Sequence, residues 1–135
     1  MLIKDILSKP PVTVKYGTSL HEAAQIMVRE NIGILPIVNP ENQRNVLGVV
    51  SERDFVKAFS IHKEPQKIKV EDVGTMGNIV TVKQSDTISK AALLMIQHNI
   101  RHLIVVNDEN LLVGVVSIRD IIETQKILEM IAKAY

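Results

Sequence analysis

No cysteine occurs among the 135 residues. Its absence excludes disulfides, thiolate metal sites and a cysteine nucleophile, and argues against a small disulfide-stapled secreted fold. A cytoplasmic protein is the expectation. Tryptophan is absent as well, and aromatic residues make up only 3% of the chain, too few for the stacked rings that usually hold single-stranded nucleic acid. Charge of one sign is lacking: 16 Lys and Arg against 15 Asp and Glu leave a net charge of +1, so no general field draws the molecule onto nucleic acid or an anionic membrane. No apolar run reaches ~18 residues, and Met1 to Lys9 carries no basic-then-apolar signal pattern, so neither a membrane span nor export is expected. What the chain does have is 46% hydrophobic residues, enough for a core that folds unaided.

Self-similarity organises these residues. Val12-Thr13-Val14-Lys15 recurs as Val80-Thr81-Val82-Lys83, roughly 68 positions on, and at that offset Ala23-Ala24, Met27, Asn31-Ile32, Leu35 and Val38-Asn39 recur as Ala91-Ala92, Met95, Asn99-Ile100, Leu103 and Val106-Asn107. After a short deletion in a loop, Gly48-Val49-Val50-Ser51-x-Arg53-Asp54 recurs as Gly114-Val115-Val116-Ser117-x-Arg119-Asp120. The chain is two copies of one unit, residues 1–62 and 63–135, joined by a polar stretch from about Ser60 to Lys69.

Each copy reads as strand, helix, strand, strand, helix, an α+β unit. A strand at Val12 to Val14 (Val80 to Val82) meets polar Gly17-Thr18-Ser19 (Ser85-Asp86-Thr87), where an N-cap starts a helix, with Ser19 and Glu22 spaced for a capping box. Leu20, Ala23, Ala24 and Met27, matched by Ile88, Ala91, Ala92 and Met95, make one buried stripe. Ile34 to Val38 and Val46 to Val50, matched by Leu103 to Val106 and Leu111 to Val116, read as hairpins. Ser51 and Ser117 stand where a strand gives way to the second helix, with Asp54 and Asp120 in its first turn. A small sheet with helices on one face cannot cover its own apolar surface, so the copies are expected to pack sheet to sheet about a pseudo-twofold axis, with ligand clefts between them. Leu93-Leu94, Ile121-Ile122, Ile127-Leu128 and Met130-Ile131 leave surplus apolar helix surface in copy two, which predicts a homodimer.

An Asp in the first turn of a helix suits two hydrogen bonds from a ribose diol, and the helix dipole stabilises its charge. The Ser, the free amides of the helix start and Arg53 or Arg119 form an anion site suited to phosphate. The plainer reading makes Ser an N-cap and Asp a dipole-compensating residue with no ligand.

The repeated Gly-h-h-Ser-x-x-Asp (h apolar), placed after a β-α-β-β unit and present twice, resembles the cystathionine-β-synthase (CBS) domain, whose tandem pair is called a Bateman module. Ile3-Lys4-Asp5-Ile6, its echo Val70-Glu71-Asp72-Val73, and Ile34-Leu35-Pro36-Ile37-Val38-Asn39 extend the likeness over nearly the whole chain. The resemblance implies a non-catalytic regulatory sensor that binds AMP, ADP, ATP or S-adenosylmethionine between the repeats and signals to an effector protein in trans. It implies no required cofactor, though Mg²⁺ accompanies a bound polyphosphate. Carried over residue by residue, it sets Ser51, Arg53 and Asp54 in one ligand site and Ser117, Arg119 and Asp120 in the other. Thr75, Asn78, Ile79 and Val80 line the adenine of the Asp120 pocket, and Ser8, Pro11 and Val12 that of the Asp54 pocket. Arg101 and His102, where copy one has Gly33 and Ile34, are expected to meet the phosphate of the nucleotide whose ribose Asp54 holds. The alternatives are a scaffold that keeps the fold only for association, or a nucleic-acid binder using Lys57, Lys63, Lys67 and Lys69, which otherwise read as a solvated linker.

No catalytic nucleophile with an adjacent base is evident. No metal site is expected either, because His21 and His62 stand alone and His98-x-x-x-His102 straddles the end of a helix and the start of a strand.

Overall fold

The computed structural model describes residues 1–7, 10–61 and 64–134. A 3-10 turn at Ile3–Asp5 precedes β1 (Val14–Lys15), α1 (Leu20–Glu30), β2 (Ile34–Asn39), β3 (Asn42–Ser51) and α2 (Glu52–Ile61). A second 3-10 turn (Pro65–Lys67) and α3 (Val70–Val73) lead to β4 (Thr75–Met76). The order then repeats in β5 (Thr81–Lys83), α4 (Ile88–His98), β6 (His102–Val106), β7 (Leu112–Ser117) and α5 (Ile118–Ala134). Strand β1 runs parallel to β2, and β2 antiparallel to β3, just as β5 runs parallel to β6 and β6 antiparallel to β7. Even the irregularity repeats: the hairpin register slips after Ile37 opposite Gly48 and after Val105 opposite Gly114.

Local chemistry sets the helix ends. Ser19 Oγ accepts from the Glu22 amide at 3.1 Å, and Thr87 Oγ1 from the Lys90 amide at 3.1 Å. Of the capping box expected at Ser19 and Glu22, the serine half is the one formed among the described residues. Both helices end on an Asn in the left-handed region, Asn31 (φ 53°) and Asn99 (φ 52°), a conformation that Asn tolerates better than most residues. The amide after each reaches back to a methionine carbonyl, Ile32 to Met27 and Ile100 to Met95, both at 3.0 Å. Before α4, the Lys83 amide donates to Asp86 and holds its carboxyl below the ordinary range, with the Lys90 ammonium helping and burial opposing.

Space divides the chain differently from sequence. One compact unit comprises Met1–Pro11 with Val80–Tyr135, the other Val12–Ile79; they are called here the Asp120 unit and the Asp54 unit. In the Asp120 unit the N-terminal segment lies along the start of α4. The Ile3 amide donates to Asp86 O, Lys4 to Gln84 O and Ile88 to Met1 O, and the Ile3 side chain is wholly buried with Val82, Ala91, Met95, Leu103, Val105, Val116 and Ile121. In the Asp54 unit the segment before β5 plays the same part. Leu20 donates to Ile68 O and Val70 to Thr18 O, while Ile68 and Val70 complete a core of Val14, Leu20, Ala23, Met27, Leu35, Ile37, Val50, Phe55 and Ala58. Ile3 and Val70 belong to the two echoing segments, so each core is finished by residues that precede the other copy's first strand.

Several apolar side chains stay uncovered. Ile121 is buried and Leu94 half-buried, but Leu93, Ile96, Ile122, Ile127, Leu128, Met130 and Ile131 are exposed on α4 and α5, as are Val28, Val56, Phe59 and Ile61 on α1 and α2. Ser60 and Ile61 are helical, and Lys57 lies in α2 rather than in a linker. No described helix is long and apolar enough to cross a membrane.

Two stability predictions follow from this packing. Ile3→Ala should cost about 2–5 kcal/mol, because the residue is core despite its terminal position; denaturant unfolding of the variant measures it. At Gly48 an added Cβ would sit 2.5 Å from Thr75 O and 2.5 Å from Met76 Sδ, whereas at Gly114 it meets Leu7 Cδ2 at 3.2 Å. Gly48→Ala should therefore lose about 1–3 kcal/mol by forcing β4 off β3, while Gly114→Ala loses less because a side chain yields more easily than backbone; thermal melts of the two variants give the order.

Candidate functional site

At one end of each sheet a strand begins, its antiparallel neighbour ends, and a helix starts from that end. Ile34 pairs with Ser51 and His102 with Ser117. The first helical amide closes the corner: Glu52 N donates to Gly33 O at 3.0 Å, and Ile118 N to Arg101 O at 2.9 Å. The repeated Ser-x-x-Asp sits on these corners. Ser51 N donates to Asp54 Oδ2 at 2.8 Å, and its hydroxyl lies 3.2 Å from the same oxygen. In the other unit Ser117 N donates to Asp120 Oδ2 at 2.8 Å, and Asp120 N donates to Ser117 Oγ at 3.1 Å, a complete capping box.

The plainer structural role of these residues is therefore present. Asp5, Asp72 and Asp86 also accept from the amide three residues earlier, that of Leu2, Lys69 and Lys83, each at 2.9 Å. What separates Asp54 and Asp120 is their place: each accepts from the amide of a serine that ends one strand of a hairpin opposite the first residue of the other, Ser51 with Ile34 and Ser117 with His102. The cap occupies Oδ2 and leaves each Oδ1 without a protein partner among the described residues. A carboxylate held this way still presents acceptor positions in a fixed orientation, which is what a vicinal diol requires.

The cations are unequally shared. Exposed Arg101 precedes β6 and half-buried His102 opens it in the Asp120 unit, which also carries exposed Arg119. Arg119 Nε lies 3.1 Å from Glu123 Oε1, a surface pair worth little. The corresponding residues of the Asp54 unit are Gly33 and Ile34, with exposed Arg53 on α2. Of the expected adenine-lining residues, Val12, Thr75, Asn78 and Ile79 belong to the Asp54 unit, and Pro11 and Val80 to the Asp120 unit. Thr75 is committed to β4, paired with Val49, whereas Asn78, Ile79 and Val80 lie outside regular structure. Ser8 lies outside the described residues, as do His62 and Lys63. Sequence reading missed Glu52, whose side chain covers Gly33; only the tertiary closure of the corner brings these two together. His98 ends α4 and His102 begins β6, and among the described residues no three His, Asp or Glu side chains group as a metal site would need.

Comparison with known proteins gives this geometry a family. The CBS domain model matches residues 3–61 and again 70–126, so the motif corners fall at the same place in both matches. A CBS domain protein from Pyrobaculum aerophilum, solved in complex with AMP, is 31% identical, with a TM-score of 0.83 over 89% of each chain. The CBS domain pair of protein MJ0100, solved with 5′-methylthioadenosine and S-adenosyl-L-methionine, is 34% identical, with a TM-score of 0.82 over 92% of this chain and 98% of that one. Among curated proteins, the L-aspartate semialdehyde sulfurtransferase of Methanocaldococcus jannaschii is 35% identical over 120 residues, 89% of this chain. The chain spans only 22% of that enzyme's length, the share of one side domain. With two family matches that together take in most of the sequence, and a repeated α+β fold shared with solved pairs, the chain belongs to the CBS domain family and is a tandem CBS pair.

Proposed function

We propose that this CBS pair is a non-catalytic cytoplasmic sensor of an adenosine nucleotide, AMP, ADP or ATP, and that it passes the signal to an effector protein in trans. One observation carries the reading: the Ser-x-x-Asp corner occurs twice, intact, with an oriented carboxylate beside a helix start in each unit. Asp54 and Asp120 hold the ribose, Ser51 and Ser117 with Arg53 and Arg119 serve the anionic end, and Arg101 and His102 add charge for a phosphate. Ser8, Pro11, Val12, Thr75, Asn78, Ile79 and Val80 flank the base. The AMP-bound relative supports a nucleotide. The relative that holds S-adenosyl-L-methionine supports a second reading, a sulfur-bearing adenosine ligand. Exposed Ile127, Leu128, Met130 and Ile131 on α5 favour a homodimer.

Calorimetric titration with AMP, ATP and adenosine tests the ligand. Because Asp54 and Asp120 also cap helices, truncation to Ala should cost about 0.5–2 kcal/mol of stability. Asp54→Asn and Asp120→Asn keep an acceptor for the cap and are the better variants. Each should weaken every adenosine ligand at the site it serves, and unchanged titrations for both would remove the ribose role. Arg101→Ala should weaken AMP by about 1 kcal/mol, as an exposed guanidinium does, and leave adenosine unmoved; an equal loss for both ligands would remove the phosphate role.

Assembly is tested by sedimentation equilibrium, with a dimer expected at tens of micromolar. Ile127→Lys combined with Ile131→Lys should give a monomer that melts cooperatively. A wild-type monomer would overturn the dimer.

A further inference from the structure

The two strand corners carry opposite charge at equivalent positions. In the Asp54 unit the Glu52 carboxylate lies on Gly33: a Cβ built on that glycine would stand 2.7 Å from Glu52 Oε1. A side chain at position 33 would push the flexible end of this acid from where it lies. In the Asp120 unit Arg101 replaces Gly33 and Ile118 replaces Glu52, joined by the same amide-to-carbonyl bond, Glu52 to Gly33 in one and Ile118 to Arg101 in the other. Arg53 with Asp54 and Arg119 with Asp120 occur in both copies, Arg119 being paired with Glu123, so the difference between the corners is Glu52 lying on Gly33 in one and Arg101 in the other. Where a phosphate gains from a guanidinium at one corner, it meets a carboxylate at the other, and bringing two anions together out of bulk water is unfavourable.

We infer that Glu52 is a specificity-determining residue: it turns the Gly33 corner away from phosphate and toward an adenosine ligand whose 5′ tail is uncharged or cationic, while the Arg101 corner takes the phosphate-bearing ligand. The inference rests on the adenosine reading above and goes beyond it by giving the two corners different ligand classes. A purely structural Glu52, compensating the dipole of α2 from its first turn, would affect stability and not selectivity.

The experiment is calorimetric titration of the full chain with adenosine and with AMP, for wild type and Glu52→Gln, at low and at high salt. Wild type should bind adenosine at two sites and AMP strongly at one. Glu52→Gln should raise AMP affinity at the weaker site roughly tenfold, leave adenosine within about twofold, and lose most of its advantage at high salt, where charge repulsion is screened. AMP filling both wild-type sites equally overturns the inference and leaves the adenosine reading standing. So does a variant in which AMP and adenosine change by the same factor, which marks steric occlusion instead of charge, or one in which neither changes. If neither ligand binds the wild type, the adenosine reading falls and this inference with it.

Discussion

Burial of Ile3 and Val70 is the constraint on which both units depend. Each side chain is fully buried, and each belongs to a segment that stands in sequence before the first strand of the other copy. A sheet with helices on one face leaves an apolar surface that its own copy does not cover. Here the segment carrying Ile3 bonds to the Gln84–Asp86 turn of the Asp120 unit, and the segment carrying Val70 bonds to Thr18 and Leu20 of the Asp54 unit. A cut between the copies would take Ile68 and Val70 from one core and Ile3 from the other. Each core thus takes residues from both halves of the sequence.

The same economy governs the strand-to-helix corners. A helix start has free amides that need acceptors, and a serine followed three residues later by an aspartate satisfies two of them. The bonds that cap the helix also fix the carboxylate in one orientation, so an element needed for folding doubles as a preorganised acceptor for a ligand. Asp5, Asp72 and Asp86 make the same backbone bond, so the bond alone carries no function. Position at the end of a hairpin, on the amide of the strand's last serine, singles out Asp54 and Asp120.

Around those corners the copies keep the serine, arginine and aspartate but differ in the residues beside them. Core positions at Val14, Ala23, Met27, Leu35 and Val50 repeat as Val82, Ala91, Met95, Leu103 and Val116, because packing on the same helices and strands restricts volume, while Phe55 is matched by the smaller Ile121. At the corners Gly33 is constrained only by the flexible end of Glu52, and its counterpart Arg101 is exposed. Surface charge is free to change there without cost to the core.

Much of this architecture was legible in the sequence. The offset identities establish two copies, the spacing of Leu20, Ala23 and Met27 identifies the buried face of α1, and Ser-x-x-Asp after a β-rich run marks each corner, because helix periodicity and capping chemistry are local and leave local traces. Most strand ends shift by a residue or two, but β3 begins at Asn42, four residues before the expected Val46, as hydrogen bonding rather than residue type decides where a ladder stops. What only the tertiary structure decided was contact between residues far apart in sequence. That Ile3 joins the core of the second copy, that β4 adds to β3 through Gly48, and that Glu52 covers Gly33 all depend on backbone closure across many residues. Neither composition nor periodicity records which of several apolar or acidic residues will occupy the space left when distant segments meet.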